Sequence, residues 1–468
     1  MLKNLYKTFL KNKLIRNLII VIFSLFIIYI SISTYFSQHF FFNTTVNGVD
    51  LSLKDKNSIA SSFDDFLEKY SIEIVTRNAE SQIIKENILE KGKMLDSEEA
   101  IFKDIKSKQN SLIWITSLFK KNEYNIDEIY SIDEKGLEDI VSELNVFKGE
   151  IISPKNVSFA YKDGKYEIVE EEYGNEANKE RVYEGIKTAV LNGKANINLD
   201  EEGCYESPKY TINSDRTKEV EKDLNKYIST NITYVFGEGK EVLSGERINK
   251  FITVNDDLEI ELSKEEIRQY IKELSDKYNT VGITREFKTS IGSTVEVEGG
   301  YYGYKINSVA ETSLLIENIK NGAVLEKEPS YSQKALLRGE NDIGDTYVEI
   351  NLTRQYMWFY KEGKIIAQGN VVTGDPRKGN STDTGTYMLN YKQKEATLRG
   401  ANYEAKVNYW MPFNGNVGIH DASWRYNFGG QVYLSDGTHG CVNASLSLAK
   451  KIYENIEAGT PVICYKDK

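Results

Sequence analysis

The sequence predicts a mixed fold: an N-terminal transmembrane helix, two tandem α+β domains, and a C-terminal domain that is mostly β and sandwich-like. Three observations support this fold class. The chain carries no charge from Leu18 to Phe36, a helical pattern recurs in the middle at an offset of 129 residues, and alternating apolar and polar residues dominate after Tyr347. We therefore predict segments with boundaries at 1–40, 41–210, 211–340 and 345–468.

The first segment has the length and the flanks of a membrane anchor. The 19 uncharged residues from Leu18 to Phe36 would span roughly 30 Å as a helix, about one hydrocarbon core. No acidic residue precedes Asp50, so the positive-inside rule places the N-terminus in the cytoplasm and the rest outside the cell. The basic residues behind this prediction are Lys3, Lys7, Lys11, Lys13 and Arg16.

A cleaved signal peptide is the alternative for this segment. Such a peptide ends at a small-residue cleavage site, and the sequence at 37–42 (Ser-Gln-His-Phe-Phe-Phe) does not provide one. We therefore expect an uncleaved, single-pass anchor in the cell membrane. His39 is expected at the membrane interface, outside any catalytic chemistry.

Charge is distributed unevenly along the chain. Residues 50–344 hold 40 Lys and Arg against 58 Asp and Glu, a net charge of −18, whereas residues 345–468 carry +2. A strongly acidic middle argues against nucleic acid as a partner. We expect this region to hold the C-terminal domain away from the bilayer.

The three cysteines have different surroundings. Cys464 lies in a short apolar run typical of a terminal strand, so we expect it to be buried. Cys204 is isolated, and the disulfide state of these two residues stays open. A disulfide to Cys441 would remove the nucleophile proposed below.

The middle of the chain contains two copies of one pattern. Asn178 and Asn307 each precede a helical stretch, and each stretch ends in Asn-Gly, at 192–193 and 321–322. An earlier helix recurs one residue out of step, at 137–144 and 267–274. We predict tandem α+β domains joined near 206–215. Chance similarity between amphipathic helices is the alternative.

After a break at 338–341, the pattern is that of β-strands with one helix. We predict strands at 347–352, 357–360, 365–367, 369–373, 385–389 and 461–465. Only residues 446–456 have a clear helical pattern. We expect the loop that holds Cys441 to lead directly into this helix, which Ser445 can cap and whose dipole favours a nearby thiolate.

Scarce reactive residues cluster near the C-terminus. The chain has 3 His and 3 Cys, and His420, His439 and Cys441 fall within 22 residues. A thiol needs a base to become a reactive thiolate. We therefore predict a cysteine nucleophile with a histidine partner, its sulfur ionised and exposed to solvent. The motif itself is Thr438-His439-Gly440-Cys441-Val442-Asn443.

This motif resembles that of the L,D-transpeptidases of bacterial cell walls, in which a histidine precedes Ser/Thr-His-Gly-Cys, a hydrophobic residue and Asn. Here 17 residues separate His420 from Thr438. Other matching pieces are Gly374, Thr384-Gly385-Thr386, Trp410-Met411-Pro412-Phe413 and His420-Asp421-Ala422-Ser423-Trp424. The resemblance covers about residues 345–466. The middle copies, the first opening at 46–52, look like the peptidoglycan-binding domains that precede this enzyme, although Leu53 replaces the usual glycine.

The resemblance implies a reaction on the stem peptides of peptidoglycan. Cys441 would attack the third residue of a tetrapeptide stem and release D-alanine. The thioester would then pass to the side-chain amine of a second stem, giving a 3→3 cross-link. No ATP and no cofactor are implied, and carbapenems are implied as inhibitors.

The resemblance also assigns roles to single residues. His420 would be the general base, oriented by the backbone carbonyl of Asp421. Backbone N–H groups of His439, Gly440 and Cys441 would form an oxyanion hole. Asn443 and Trp424 would line the substrate site. Thr438 is expected to form hydrogen bonds within the loop beside the substrate.

Alternatives remain open at this point. His439 could be the base instead of His420, or both histidines could bind zinc with Cys441, although no fourth ligand is evident. With water as the acceptor, the same thioester would make the protein an L,D-carboxypeptidase. A non-catalytic, wall-bound structural protein is the last alternative. Arg425, Tyr433 and Tyr409 are further candidates for contact with the stem.

Overall fold

The computed structural model describes residues 13–77, 81–85, 88–339, 341–400 and 403–467. The basic residues Lys3, Lys7 and Lys11 of the predicted cytoplasmic tail lie outside these ranges, as does Glu340 of the predicted break.

The helices are numbered in chain order. They are α1 (Lys13–Tyr35), α2 (Ile59–Lys69), α3 (Glu98–Lys108), α4 (Glu134–Ser142), α5 (Lys179–Leu191), α6 (Asp215–Ile228), α7 (Gly245–Ile248), α8 (Lys264–Tyr278), α9 (Ser308–Asn321), α10 (Val432–Asp436) and α11 (Leu446–Asn455).

The strands are numbered in the same way. The strands before residue 345 are β1 (Thr44–Val46), β2 (Val49–Asp50), β3 (Ile72–Val75), β4 (Gln82–Ile84), β5 (Leu89–Lys91), β6 (Asn122–Tyr124), β7 (Tyr130–Ile132), β8 (Ser158–Lys162), β9 (Lys165–Val169), β10 (Asn196–Asn198), β11 (Asn231–Phe236), β12 (Gly239–Leu243), β13 (Ile252–Val254), β14 (Ile260–Leu262), β15 (Arg285–Lys288), β16 (Thr294–Val297), β17 (Lys305–Ile306), β18 (Val324–Lys327) and β19 (Tyr331–Gln333). The C-terminal strands are β20 (Tyr347–Asn351), β21 (Tyr356–Lys361), β22 (Lys364–Val372), β23 (Gly385–Met388), β24 (Gln393–Gly400), β25 (Tyr403–Asn414), β26 (Val417–Asp421), β27 (Val442–Ala444) and β28 (Pro461–Tyr465).

The apolar helix α1 is long and apolar enough to cross a membrane. Its large apolar side chains between Leu18 and Ile28 are 40% to 61% exposed. Just beyond α1, the ring of His39 stacks on that of Tyr35, with 3.9 Å between the ring centroids.

The chain forms two compact units, and the first contains residues up to Ser158 together with Val169–Ser214. Its central sheet has the order β10-β3-β4, in which β10 and β3 are parallel and β3 and β4 are antiparallel. Buried side chains from strands and helices share one core, among them Phe63, Ile74, Ile101, Leu137 and Ile186. Leu53, at the position where the resemblance has glycine, adopts a φ of 61°, so the turn keeps the left-handed backbone that glycine favours.

The second unit contains Phe159–Ile168 and Asp215–Lys468, and its first part repeats the topology of the first unit. A helix (α6), a hairpin (β11 and β12), two more helices (α8 and α9) and a returning strand (β18) give the sheet order β18-β11-β12. Asn178 and Asn307 both cap their helices, accepting hydrogen bonds from Arg181 N and Ala310 N. The prediction of tandem α+β domains is therefore confirmed.

The C-terminal part is a curled sheet of nine strands in the order β23-β28-β20-β21-β22-β27-β26-β25-β24. Strand β22 belongs to both halves of the sheet, and α11 packs on it. Apolar side chains from both halves meet in one core, including Phe359, Val371, Met411, Ile419 and Val442. This confirms the predicted mostly β, sandwich-like domain.

Several details differ from the prediction, and two of them bear on the loop that holds Cys441 and its surroundings. The long β24–β25 hairpin was not foreseen, and it forms one end of the sheet. The loop that holds Cys441 does not lead directly into the helix, because strand β27 lies between them and pairs with both β22 and β26. Ser445 does cap α11, since its side chain accepts a hydrogen bond from Leu448 N.

Strand β23 lies at one end of the sheet, and its outer edge forms hydrogen bonds with the preceding part of the same unit. Thr386 donates its N–H to the carbonyl of Gly299, and it accepts from Tyr302 N at 3.0 Å. The tip of the β15–β16 hairpin is also fastened to the sheet, because the N–H of Ser290 lies 3.0 Å from the buried carboxylate of Glu349. Covering an edge strand removes a site where another chain could pair.

Candidate active site

The predicted base lies on β26, and the predicted nucleophile immediately precedes the neighbouring parallel strand β27. In the pairing of β26 with β27, His420 is opposite Asn443 and Ile419 is opposite Val442. Ile419 and Val442 belong to the core, so strand alternation turns His420 and Asn443 to the opposite face of the sheet. Cys441 precedes Asn443 by two residues and shares this face.

A cleft of about 450 Å³ opens on this face. It brings together most of the residues that the sequence analysis singled out, namely His420, Trp424, Thr438, His439, Cys441 and Asn443. It is completed by Gly437, Arg425 and residues of the β24–β25 hairpin, namely Leu398, Glu404, Ala405 and Lys406. Asp421 and Gly440 lie beside the cleft in the chain but do not form its lining.

The loop that carries Cys441 is held by two threonine hydroxyls. The hydroxyl of Thr438 donates to the carbonyl of Cys441 at 2.6 Å and accepts from the N–H of Gly440 at 3.0 Å. The hydroxyl of Thr382 donates to the carbonyl of Gly440 at 2.6 Å and accepts from Gly374 N at 3.0 Å. Each hydroxyl therefore links two backbone groups and fixes the conformation of the loop.

Gly440 is required here by its backbone conformation. Its φ is 116°, which side chains rarely allow, and an added Cβ would lie 3.2 Å from Cγ2 of Val417. Its N–H group already has an acceptor in the hydroxyl of Thr438. The predicted contribution of this N–H to an oxyanion hole is therefore not what the geometry shows.

His420 is oriented by the backbone of the next residue, as the resemblance implied. Its Nδ1 lies 2.9 Å from the carbonyl oxygen of Asp421. A carbonyl oxygen only accepts hydrogen bonds, so Nδ1 carries the proton and Nε2 is left as the basic nitrogen of the neutral ring. The rings of Trp410 and Trp424 flank the imidazole, at centroid distances of 5.9 and 6.1 Å.

Burial sets the protonation state of His420. It lowers the pKa of the imidazole below its usual value of 6.5, and the positive charge of Arg425 acts in the same direction. The hydrogen bond to the carbonyl of Asp421 and the Asp421 charge oppose this shift. His420 is therefore neutral at pH 7 and can accept a proton.

The expectation of an ionised, solvent-exposed sulfur is wrong for the resting state. Cys441 is only 9% exposed, and it packs in an apolar cluster with Ala396, Val407 and Trp410. This burial raises the pKa of the thiol above its usual 9.0, although a hydrogen bond from Gly418 opposes the shift. The sulfur also lies 3.6 Å from the carbonyl oxygen of Asn416, a contact in which a protonated thiol donates.

The carboxylate of Asp421 does not face the cleft. Its Oδ1 accepts from the backbone N–H groups of Asn408 and Tyr409, both at 2.8 Å, and its Oδ2 accepts from the Asn408 side chain. The side chain thus fastens β25 to the end of β26. Asp421 reaches the active site through its backbone carbonyl.

The other candidates for contact with the stem are distributed differently. Arg425 lines the cleft, and its Nη1 donates to the carbonyl and the carboxylate of Asp436. Tyr409 packs against Tyr453 next to the core, and Tyr433 lines a separate cavity with Trp358. The sequence analysis missed Thr382 and the hairpin residues of the cleft. Thr382 has a weak sequence signal, because three of the four residues before Gly385 carry a hydroxyl group.

The metal and disulfide alternatives can be compared with the geometry. Among the residues that the structure describes, no group of three or more His, Cys, Asp or Glu side chains is arranged to hold a metal ion. Cys204, Cys441 and Cys464 are all described, and each is a buried free thiol. Cys441 is therefore available as a nucleophile.

Comparison with known proteins identifies the family of this chain. The family model of the L,D-transpeptidase catalytic domain matches residues 345–464, and that of a peptidoglycan binding domain matches residues 210–325. The crystal structure of a mutant L,D-transpeptidase from Enterococcus faecium is 33% identical in sequence, over 52% of this chain and 98% of that chain, with a TM-score of 0.42. The chain belongs to the L,D-transpeptidase family.

Further solved structures match a smaller share of the chain. The NMR structure of the E. faecium catalytic domain acylated by ertapenem is 40% identical over 26% of this chain and 97% of that chain, with a TM-score of 0.25. An L,D-transpeptidase from Mycobacterium tuberculosis is 18% identical over 26% of this chain and 57% of that chain, with a TM-score of 0.24. No curated protein matches the chain. The family that the Thr-His-Gly-Cys motif indicated is thus confirmed.

Proposed function

We propose that this protein is a membrane-anchored L,D-transpeptidase that forms 3→3 cross-links in peptidoglycan, with Cys441 as the nucleophile and His420 as the base. One observation carries the proposal. His420 of β26 and Cys441, which immediately precedes the adjacent parallel strand β27, line the same cleft, and the Asp421 carbonyl holds the proton of His420 on Nδ1. Nε2 is therefore unprotonated and can accept the proton of the thiol.

The neutral state of both groups determines the order of events. Because burial raises the pKa of Cys441 and lowers that of His420, no ion pair is stored between them at rest. Nε2 therefore takes the thiol proton as sulfur attacks the carbonyl of the third stem residue. The bond to D-alanine then breaks, and the imidazolium returns this proton to the leaving amine.

The second half of the reaction reverses these roles. The side-chain amine of another stem attacks the thioester carbonyl and loses a proton to His420. The carbon–sulfur bond breaks, and the sulfur of Cys441 takes that proton back. The energy of the cleaved amide is kept in the thioester, so no nucleotide is consumed and no cofactor is needed.

The remaining cleft residues bind and position the stems in this proposal. The backbone N–H of Cys441 stabilises the developing oxyanion. Trp424 is 51% exposed at the cleft and offers an aromatic wall, and the amide of Asn443 offers a donor and an acceptor to the stem backbone. His439 lines the cleft as a substrate contact rather than as the base, since the Asp421 carbonyl orients His420.

The anchor places this chemistry at the cell wall. We propose that α1 crosses the cell membrane once, with the N-terminus in the cytoplasm and the catalytic domain outside. The exposed apolar surface of α1, the basic residues before it and the match to a peptidoglycan binding domain support this arrangement.

A product assay tests the function. Full-length protein in detergent is incubated with a disaccharide-tetrapeptide, and the products are identified by mass spectrometry. We expect release of D-alanine and a cross-linked dimer, and a mass gain when a carbapenem acylates the protein. Tripeptide without dimer would show an L,D-carboxypeptidase instead. Neither product, together with no carbapenem adduct, would show a non-catalytic wall protein.

Matched variants test the assigned residues. Cys441→Ala should abolish both turnover and acylation, whereas Cys204→Ala, at another buried free cysteine, should keep both. His420→Ala should lower turnover by about 10²–10⁴-fold, the usual contribution of a general base. Near-normal turnover in His420→Ala, with a comparable loss in His439→Ala, would reverse the assignment of the base.

A further inference from the structure

Residues 111–119, here called the apolar turn segment, expose a concentrated set of large apolar side chains. The backbone forms 3₁₀ turns from Ser111 to Leu118. The exposed side chains and their exposed fractions are Leu112 54%, Ile113 51%, Ile115 48%, Leu118 45% and Phe119 88%. A contiguous apolar patch of this kind marks a surface that binds a partner or a membrane.

The segment packs against the C-terminal turns of α1. The ring of Trp114 lies 5.9 Å from that of Tyr29 and 5.8 Å from that of Phe36, measured between centroids. The hydroxyl of Tyr29 also donates to the carbonyl of Leu112. Helix α1 ends at Tyr35, which lies about 9 Å beyond Tyr29 along the helix axis. The segment therefore lies beside the last turns of α1.

Two hydroxyls of the segment bond to carbonyl groups of the segment itself. Thr116 donates its hydroxyl to the carbonyl of Ile113, and Ser117 donates to that of Trp114. Asn110 caps the segment by accepting from Leu112 N. Hydroxyls that bond to nearby carbonyls no longer need water, which suits a segment in contact with lipid.

The charges around the segment differ from those of its surroundings. Residues 105–122 contain 4 Lys and no Asp or Glu, although they lie in the region 50–344 whose net charge is −18. Lys120 and Lys121 follow Phe119 directly, and both are exposed. Lysines next to exposed apolar side chains are typical of segments that lie in the interface of an anionic membrane.

We propose that the apolar turn segment inserts into the outer interface of the membrane that α1 crosses, as a second point of attachment. The proposal rests on the anchoring by α1 proposed above. In this arrangement the exposed apolar side chains of the apolar turn segment face the lipid beside α1. Lys120 and Lys121 contact the lipid phosphates. The occupant of this surface is therefore the bilayer.

Fluorescence quenching in vesicles tests the proposal on the full-length chain. A tryptophan is introduced at the most exposed position, by Phe119→Trp, and its emission is taken as the difference from the unaltered protein. The vesicles contain phosphatidylcholine and phosphatidylglycerol, with or without bromine on the acyl chains. Ile83→Trp is the matched control, because Ile83 is an exposed apolar residue of strand β4 in the same unit.

We expect the added emission of Phe119→Trp to be lost in brominated vesicles and that of Ile83→Trp to be unaffected. Replacing Lys120 and Lys121 by Glu should weaken the loss in vesicles that contain phosphatidylglycerol. Unquenched Phe119→Trp emission in protein that floats with the vesicles would overturn the insertion while leaving the anchor intact. A self-associated chain with Phe119→Trp unquenched would assign the surface to a second copy and also overturn it. Protein that fails to float with the vesicles would show that the anchoring proposal itself is wrong.

Discussion

The hydroxyl of Thr438 lies 2.6 Å from the carbonyl oxygen of Cys441 and also accepts the N–H of Gly440. This bridge closes the loop of the Thr-His-Gly-Cys motif upon itself. It explains why a hydroxyl residue precedes the histidine of the motif. In the proposed mechanism it makes Thr438 a residue that positions the nucleophile.

The first prediction concerns this bridge. Thr438→Val keeps the shape of the side chain but removes the hydroxyl, so the loop loses a donor and an acceptor. We expect kcat/KM to fall by about 100-fold, because small misplacements of a reacting group are costly. Thr438→Ser keeps the hydroxyl and should retain most of the activity. Equal activity in the Val and Ser variants would contradict the positioning role.

The second prediction concerns the protonation of the catalytic pair. Burial raises the pKa of Cys441, so the thiol remains protonated until the pH exceeds its usual value of 9.0. Burial lowers the pKa of His420, so the imidazole becomes charged only as the pH falls below its usual 6.5. We therefore expect kcat/KM to rise with pH below 6.5 and then to reach a plateau at neutral pH.

Alkylation by iodoacetamide measures the thiol directly. The rate at Cys441, followed by mass spectrometry, should be low at pH 7 and should rise only above pH 9, because the thiolate is the reactive form. A free cysteine in a short peptide serves as the reference. Rapid alkylation that is already complete in slightly acid solution would instead show a stored thiolate–imidazolium pair.

The third prediction concerns the carboxylate of Asp421. It accepts hydrogen bonds from the backbone N–H groups of Asn408 and Tyr409, and Asp421→Asn removes its charge and forces an amide into this site. We expect the free energy of unfolding to fall by about 2 kcal/mol, measured in urea. Asp383→Asn, at an exposed carboxylate, should leave stability unchanged. An equal effect in both variants would mean that the buried hydrogen bonds contribute little.

The fourth prediction concerns the fastening of the β15–β16 hairpin. The buried carboxylate of Glu349 accepts from Ser290 N at 3.0 Å and from the hydroxyl of Tyr465 at 2.7 Å. Glu349→Gln should lower the free energy of unfolding by about 2 kcal/mol, since hydrogen bonds to a charged acceptor are replaced by weaker ones. Glu404→Gln, at an exposed position, is the control. Thermal unfolding that is unchanged in Glu349→Gln would argue against a fastened hairpin.

Much of the fold was predictable because its signals are local. The asparagines at 178 and 307 are true helix caps, and an Asn side chain recognises the turn that follows it without help from the rest of the chain. Strands β20 to β23 and β28 have apolar or alternating patterns that come from burial on one or both faces. The motif around Cys441 identified the family for the same reason, because its residues are close in the sequence.

The missed features depend on distant partners. Strand β24 contains Ala396 and Leu398 among polar residues, so its pattern is too weak to predict a strand. Its extended conformation depends on hydrogen bonds to β25. The surroundings of Cys441 come from Val407 and Trp410 of β25, and nothing near residue 441 indicates them. The sequence therefore indicated Cys441 as the candidate nucleophile but did not indicate the burial of its thiol.

The burial of Cys441 has a consequence for the lifetime of the enzyme. Peroxides oxidise a cysteine through its thiolate, and sulfinic acid, once formed, is not reduced back in most proteins. A thiol that is 9% exposed, and whose pKa is raised by burial, offers little thiolate to such oxidants. We therefore expect Cys441 to outlast an ordinary surface cysteine in hydrogen peroxide, because the retained proton shields the sulfur from damage.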